Sequence, residues 1–122
     1  DVRRFAYPEV GQPVDTAVAV GSPSSFLANP DGGTVDEQDG YWSAEFGSGR
    51  VVNLVDGEIK RIVRVSANMV TSCTFGGENL GTLFITTAVA TGKDPNPTPQ
   101  AGGLFAVRID GVRGLPEPYF CG

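Results

Sequence analysis

One strand-turn-strand pattern is written twice in this chain, 41 residues apart, so that Asp39-Gly40-Tyr41-Trp42-Ser43 lies over Leu80-Gly81-Thr82-Leu83-Phe84. The first copy runs PDGGTVDEQDGYWSAEFGSGRVV from Pro30; the second runs TSCTFGGENLGTLFITTA from Thr71 and resumes at GGLFAV. Short strands that repeat at a period near 40, with glycine at the turns, are the mark of propeller blades. Two blades cannot close a ring. The chain therefore reads as a piece of a larger propeller or as a subunit that closes by assembly.

The turns carry the composition. Seventeen glycines and nine prolines in 122 residues are spread between apolar runs, which suits many tight connections better than disorder. The net charge of −5 and the scattered basic residues build no footprint for nucleic acid or an anionic membrane surface. No apolar run reaches membrane-spanning length.

Histidine is absent. That excludes, within this chain, a Ser-His-Asp triad, a Cys-His dyad and a His-ligated zinc. Oxygen donors remain, and they favour hard cations such as calcium, magnesium or manganese. Cys73 and Cys121 are the only thiols. Placed on the inner strand and near the outer edge of one blade, they stand roughly 14 Å apart, three strand spacings, which is too far for a disulfide. Two reduced cysteines fit a reducing, cytoplasmic compartment.

The chain is expected to be all-β, with no sustained helical period. Residues 1–28 hold one strand of a preceding blade, from Val2 to Tyr7, and a long surface excursion. Residues 29–69 are a blade whose strands fall at 33–36, 41–46, 50–55 and 58–65, with Asp39-Gly40 and Asp56-Gly57 as hairpin turns. Residues 70–122 are a second blade with strands at 71–75, 82–88 and 103–109, a Pro-rich insertion at 91–102 and a short outer strand at Tyr119-Phe120. The acidic run Asp36, Glu37 and Asp39 lacks the spacing of a calcium loop and reads as a solvated hairpin end. Trp42, Phe46, Phe75, Leu83 and Phe105 read as packing between blades.

The segments PDGGTVDEQDGYWSAEFGSGRVV, TSCTFGG, GGLFAV and GVRGLPEP, in this order, resemble the last third of the regucalcin (senescence marker protein)/gluconolactonase/luciferin-regenerating-enzyme family, over about residues 29–122. The resemblance implies two blades, plus one extra strand, of a six-bladed β-propeller. It implies hydrolysis of sugar-acid lactones with one divalent metal in the central channel, calcium first, with zinc, magnesium or manganese as alternatives. The family's PDG aspartate is a metal ligand, and here it is Asp31. The resemblance makes Asp31 the catalytic carboxylate as well, leaving open whether Asp31 itself or water at the metal is the base. Asn29 is a weaker candidate for contact with a small lactone substrate. On the residues alone, Asn29-Pro30-Asp31-Gly32 is also a good β-turn sequence, so a turn role for Asp31 stands beside the ligand role. The remaining ligands must come from other blades, in a missing chain segment or in a homo-oligomer such as a trimer. A non-catalytic propeller module, acting in assembly or ligand binding, is the alternative function.

Three positions depart from the family pattern. Gly33 replaces a bulky apolar residue and is expected to widen the channel beside Asp31. Met69-Val70 replaces Arg-Pro. Glu45 puts a carboxylate on the strand face opposite Trp42.

Overall fold

The structure is a computed structural model that describes residues 2–5, 17–21, 26–89, 91, 92, 94 and 96–119. Nine strands fall among these residues. β1 (Val2–Phe5) and β2 (Ala17–Gly21) form an antiparallel pair. β3 (Asn29–Val35), β4 (Tyr41–Phe46), β5 (Arg50–Val55) and β6 (Glu58–Arg64) form a four-stranded antiparallel sheet in chain order. β7 (Val70–Gly76), β8 (Thr82–Thr87) and β9 (Leu104–Arg108) form a three-stranded one. β3 and β7 start 41 residues apart, as do β4 and β8, so the repeat seen in the sequence is a repeat of strands.

Local chemistry sets these elements. Asp56-Gly57 takes positive φ at both residues (51° and 80°), the mirror-image turn that suits a two-residue hairpin, and Val55 pairs with Glu58 across it. On β4, Trp42 and Ala44 face one way while Ser43 and Glu45 face the other, yet all four are buried. A strand buried on both faces belongs to the middle of a sheet covered on both sides. Its Trp42 face meets the second sheet: Trp42, Ala44 and Val51 join Cys73, Phe75, Leu83 and Ile85 in one core. Trp42 and Phe75 meet edge to face across that seam, with ring centroids 5.5 Å apart and planes at 87°, a favoured aromatic geometry. β2 lies against β5. The first strands, β3 and β7, pack beside each other, so each sheet turns its chain-order first strand to the same inner side.

Four details differ from the sequence reading. Residues 17–21, expected in a surface excursion, pair with β1 as a strand. β3 starts at Asn29 rather than Gly33, because Pro30 is tolerated on an edge strand that needs no ladder donor there. Tyr119 lies outside any strand and is almost fully exposed, and Phe120 falls outside the described residues, as does Cys121. The acidic run is not wholly solvated: Asp36 is 3% exposed, for reasons given below.

Candidate functional site

Asp31 sits near the start of β3, at the end of the sheets where the β4–β5 turn and the crossover from β6 to β7 also lie. Pairing with β4 runs Pro30 to Glu45 and then Gly33 to Ser43, so Asp31 and Gly32 together oppose Ala44 alone. This is a β-bulge, a device that re-aims a side chain and often stands beside functional sites. The bulge is wedged against the second sheet. A Cβ on Gly32 would stand 2.3 Å from Ser72 Oγ and 2.9 Å from the Thr71 carbonyl oxygen, so only glycine lets β3 approach β7 this closely. Asp31 therefore projects from a backbone segment fixed by a neighbouring blade. Its residue is exposed, as is Asn29 two positions earlier. The turn alternative for Asn29-Pro30-Asp31-Gly32 gives way to a bulged strand.

Gly33 does not widen the site. A Cβ there would fall 2.6 Å from the Tyr41 hydroxyl oxygen and 2.8 Å from its Cζ. The Tyr41 ring fills the space that a side chain at this position would take, an aromatic covering a strand glycine. Burial pushes the Tyr41 phenol up, and a hydrogen bond with Ser43 draws it partly back. Tyr41 was not singled out from the sequence. Its signal is the glycine at 33, directly opposite Ser43, which leaves the diagonal neighbour Tyr41 room to fold over.

Glu45 lies one pairing step from the bulge, opposite Pro30. It is fully buried and meets Arg50 in a two-pronged ion pair, Nε to Oε2 at 2.7 Å and Nη2 to Oε1 at 2.8 Å. Its Oε2 also accepts from the Ser48 hydroxyl at 2.9 Å and the Leu27 amide at 3.3 Å. The last bond ties down the chain just before Asn29. The family departure at 45 is thus paired inside this chain and braces the entry to the Asp31 strand.

The other carboxylate of interest is at the far end of β3. Asp36 Oδ1 accepts the amides of Gln38 (2.9 Å) and Gly40 (2.8 Å), and Oδ2 accepts the Trp42 indole N–H at 2.8 Å, with Asn53 Nδ2 at 3.5 Å. Every lone pair is used, so Asp36 is a structural brace and no ligand. A depression of about 440 Å³ lined by Glu37, Glu78, Arg108, Asp110 and Arg113 opens at this same end, away from Asp31. Cys73 is a buried free thiol whose Sγ approaches the Trp42 carbonyl oxygen at 3.6 Å.

Among the described residues no three acidic or thiol side chains converge to hold a metal. The donor chemistry of Asp31, one exposed carboxylate on an inner edge strand, suits a hard cation as a single ligand of a shared centre. Asn29 stands on the same strand, and Asp36 is turned inward at the opposite end. The structure thus separates the carboxylates of this region into one free to bind and two, Asp36 and Glu45, committed to the fold.

Stacked antiparallel sheets whose first strands gather on one side define a piece of a β-propeller. The profile of the "SMP-30/Gluconolactonase/LRE-like region" matches residues 2–89, and the chain belongs to that family. It is 34% identical over 122 residues to 6-deoxy-6-sulfogluconolactonase of Pseudomonas putida, covering 98% of this chain and 42% of that protein. It is 37% identical over 95 residues to regucalcin of Homo sapiens, covering 74% and 31%. A solved structure described as a calcium-binding protein, regucalcin, from Agrobacterium tumefaciens superposes with a TM-score of 0.78 at 24% identity, over 95% of this chain and 40% of that one. The chain thus spans well under half the length of these relatives. The all-β blades expected from the repeat are the four- and three-stranded sheets observed. No helix among the described residues is long and apolar enough to cross a membrane.

Proposed function

We propose that this chain contributes two blades, residues 29–69 and 70–122, to a six-bladed cytoplasmic ring that hydrolyses sugar-acid lactones with a divalent metal. The observation that carries the reading is Asp31, an exposed carboxylate presented by an interlocked bulge on the inner edge strand of a gluconolactonase-family sheet. Calcium is the first candidate, supported by the name of the Agrobacterium neighbour; zinc, magnesium and manganese are the alternatives.

Asp31 is the one metal ligand that this chain supplies. The remaining ligands come from further blades, either in another part of the polypeptide or in other copies of the chain. When bound, the cation supplies a Lewis acid that polarises the lactone carbonyl. Asp31 would set one edge of the site and, as the candidate base, take a proton from the attacking water, an ordinary role for a carboxylate at the reacting centre. Asn29 offers an amide to the substrate hydroxyls. The Gly32–Ser72 contact and the Glu45–Arg50 pair keep both residues in register.

The test uses the assembled ring. Lactone hydrolysis should need added metal and should vanish with chelator. Asp31→Ala should remove both turnover and the heat of calcium binding seen by titration calorimetry. Because Asp31 is exposed, its loss should change stability by no more than about 0.5 kcal/mol. Turnover that survives both chelator and Asp31→Ala would overturn the role given to Asp31 and the metal, and no turnover from the assembled ring would point instead to the alternative, a non-catalytic propeller module acting in assembly or ligand binding.

A further inference from the structure

The connection between β8 and β9 carries more chain than the hairpin needs. The two strands are hydrogen-bonded antiparallel neighbours, and such neighbours are commonly joined by about 2 to 5 residues. Here residues 88–103 intervene. They leave β8 at Thr87, which pairs with Val70, so they emerge at the same end of the sheets as Asp31.

The segment does not swing outward. Asn68 Nδ2 donates to Asp94 Oδ1 at 2.9 Å and to the Asn96 carbonyl at 3.1 Å, and the Thr98 hydroxyl donates to the Ser66 carbonyl. Asp94 Oδ1 also accepts the Asn96 amide at 3.0 Å, which closes the local turn. Ser66 and Asn68 lie on the crossover that carries the chain from the outer strand β6 to the inner strand β7. The segment is therefore folded back over the crossover. The anchor is itself rigid: the Asn68 carbonyl oxygen accepts the amides of Gly47, Gly49 and Val70, each at 3.0 Å. Pro97 and Pro99 stiffen what the anchor holds.

We propose that the β8–β9 connection, through its described residues 91, 92, 94 and 96–102, forms a rim on the mouth of the Asp31 site and sets which lactones enter, with Asn68 as the residue that fixes the rim. This rests on reading Asp31 as the metal-bound carboxylate of a lactonase. Among its described residues the rim has no apolar side chain larger than proline: Asn96 and Gln100 are exposed amides and Thr91 an exposed hydroxyl, beside the exposed rings of Pro97 and Pro99. Such a wall favours a compact polyhydroxylated ring, whose hydroxyls it can hydrogen-bond. It offers a lactone with a long alkyl arm only two proline rings, and it would also obstruct that arm.

Two variants of the assembled ring test this. Asn68→Ala removes the side-chain tether and leaves the carbonyl hub intact; in the second variant, two glycines replace residues 91–102. The readout is kcat/KM for gluconolactone against kcat/KM for a γ-lactone bearing an octyl chain, with calcium affinity measured alongside. The ratio should move toward the alkyl lactone by about tenfold in the excised variant, the scale at which pocket contacts discriminate substrates, and by less in Asn68→Ala, with calcium affinity unchanged. An unmoved ratio in both active variants overturns the rim. So does a fall in calcium affinity for Asn68→Ala, because the segment would then be supporting the metal site itself. Asp31→Ala as active as the unmodified protein would overturn the underlying reading of Asp31 as the metal-bound carboxylate instead.

Discussion

The Trp42 indole N–H donates to Asp36 Oδ2 at 2.8 Å across the base of the β3–β4 hairpin, and both groups are buried. The same carboxylate caps the turn through the Gln38 and Gly40 amides. The largest core side chain and the β3–β4 turn of the first blade thus depend on one aspartate. Gly40 has to be glycine beside it, since a Cβ would meet Asp36 Oδ2 at 2.5 Å.

Replacing Asp36 by alanine strands the Gly40 amide and the Trp42 indole N–H away from water and frees the part-buried Gln38 amide. Each unsatisfied buried donor costs about 1 to 3 kcal/mol, and the two are coupled, so a total loss of about 3 to 5 kcal/mol is expected. Urea unfolding monitored by Trp42 fluorescence measures it. A loss below about 1 kcal/mol would mean that the hairpin re-forms its bonds elsewhere.

What the sequence disclosed and what it hid have different physical origins. Strand positions follow from alternation and from Asp-Gly turns, which are local, and β4 and β5 fall where that pattern puts them. Burial of Asp36 is not local. It depends on Trp42 folding its indole back, and on the loop after β9, where the Arg113 carbonyl accepts the Glu37 amide and Gly114 bridges to Asp36. A run of acidic residues beside a turn looks solvated until those partners are known. The bulge at Asp31 was hidden for a similar reason. Asn29-Pro30-Asp31-Gly32 has turn chemistry, and it is extended because it pairs with Phe46 and Glu45 of β4 and lies close against Ser72 of the next sheet. Asp31 was named as a ligand through the family motif. Its support by Glu45 and the covering of Gly33 by Tyr41 came from coordinates alone.

The brace at Glu45 should prove costly to remove. Truncating it to alanine leaves the Arg50 guanidinium buried without its two-pronged partner, frees the Leu27 amide and leaves the Ser48 hydroxyl only the backbone carbonyl of residue 45. Breaking a buried ion pair in this way costs about 3 to 5 kcal/mol. Because the Leu27 bond holds the chain ahead of Asn29, calcium affinity of the assembled ring should fall as well. Chemical denaturation and calorimetry on Glu45→Ala check the two effects separately.

At Gly32 the expected result is a change of function larger than the change of stability. An alanine methyl would have to displace Ser72 Oγ, which is flexible, and Ser72 Cβ and the Thr71 carbonyl, which are not. Overpacking of this kind costs about 1 to 3 kcal/mol. The shift falls on the bulge that aims Asp31, so calcium binding should weaken by about tenfold or more. In Gly32→Ala/Ser72→Gly the hydroxymethyl group is gone and only the carbonyl contact at 2.9 Å remains, so part of the affinity should return. Equal calcium affinity in all three proteins would separate the interblade contact from the placement of Asp31.

Cys73 should give the fold a distinct response to alkali. Burial pushes its thiol up to about 12 from an ordinary 9.0, with a backbone hydrogen bond at Thr34 acting in the opposite direction. Below pH 9 the thiol is neutral in both folded and unfolded chains and contributes no pH dependence. Between pH 9 and about 12 the unfolded chain releases this proton while the folded one keeps it, so stability must fall as pH rises, by up to about 1.4 kcal/mol per pH unit. Unfolding free energies of the unmodified protein and Cys73→Ala, compared at pH 8, 9 and 10, isolate the effect from other titrating groups. The stability advantage of the unmodified protein should shrink only above pH 9. Iodoacetamide at pH 8.5 should also leave Cys73 unlabelled until denaturant is added, since a neutral thiol under Trp42 presents no thiolate to attack. Rapid labelling of Cys73 in the native protein would show that the seam between the two sheets opens on its own.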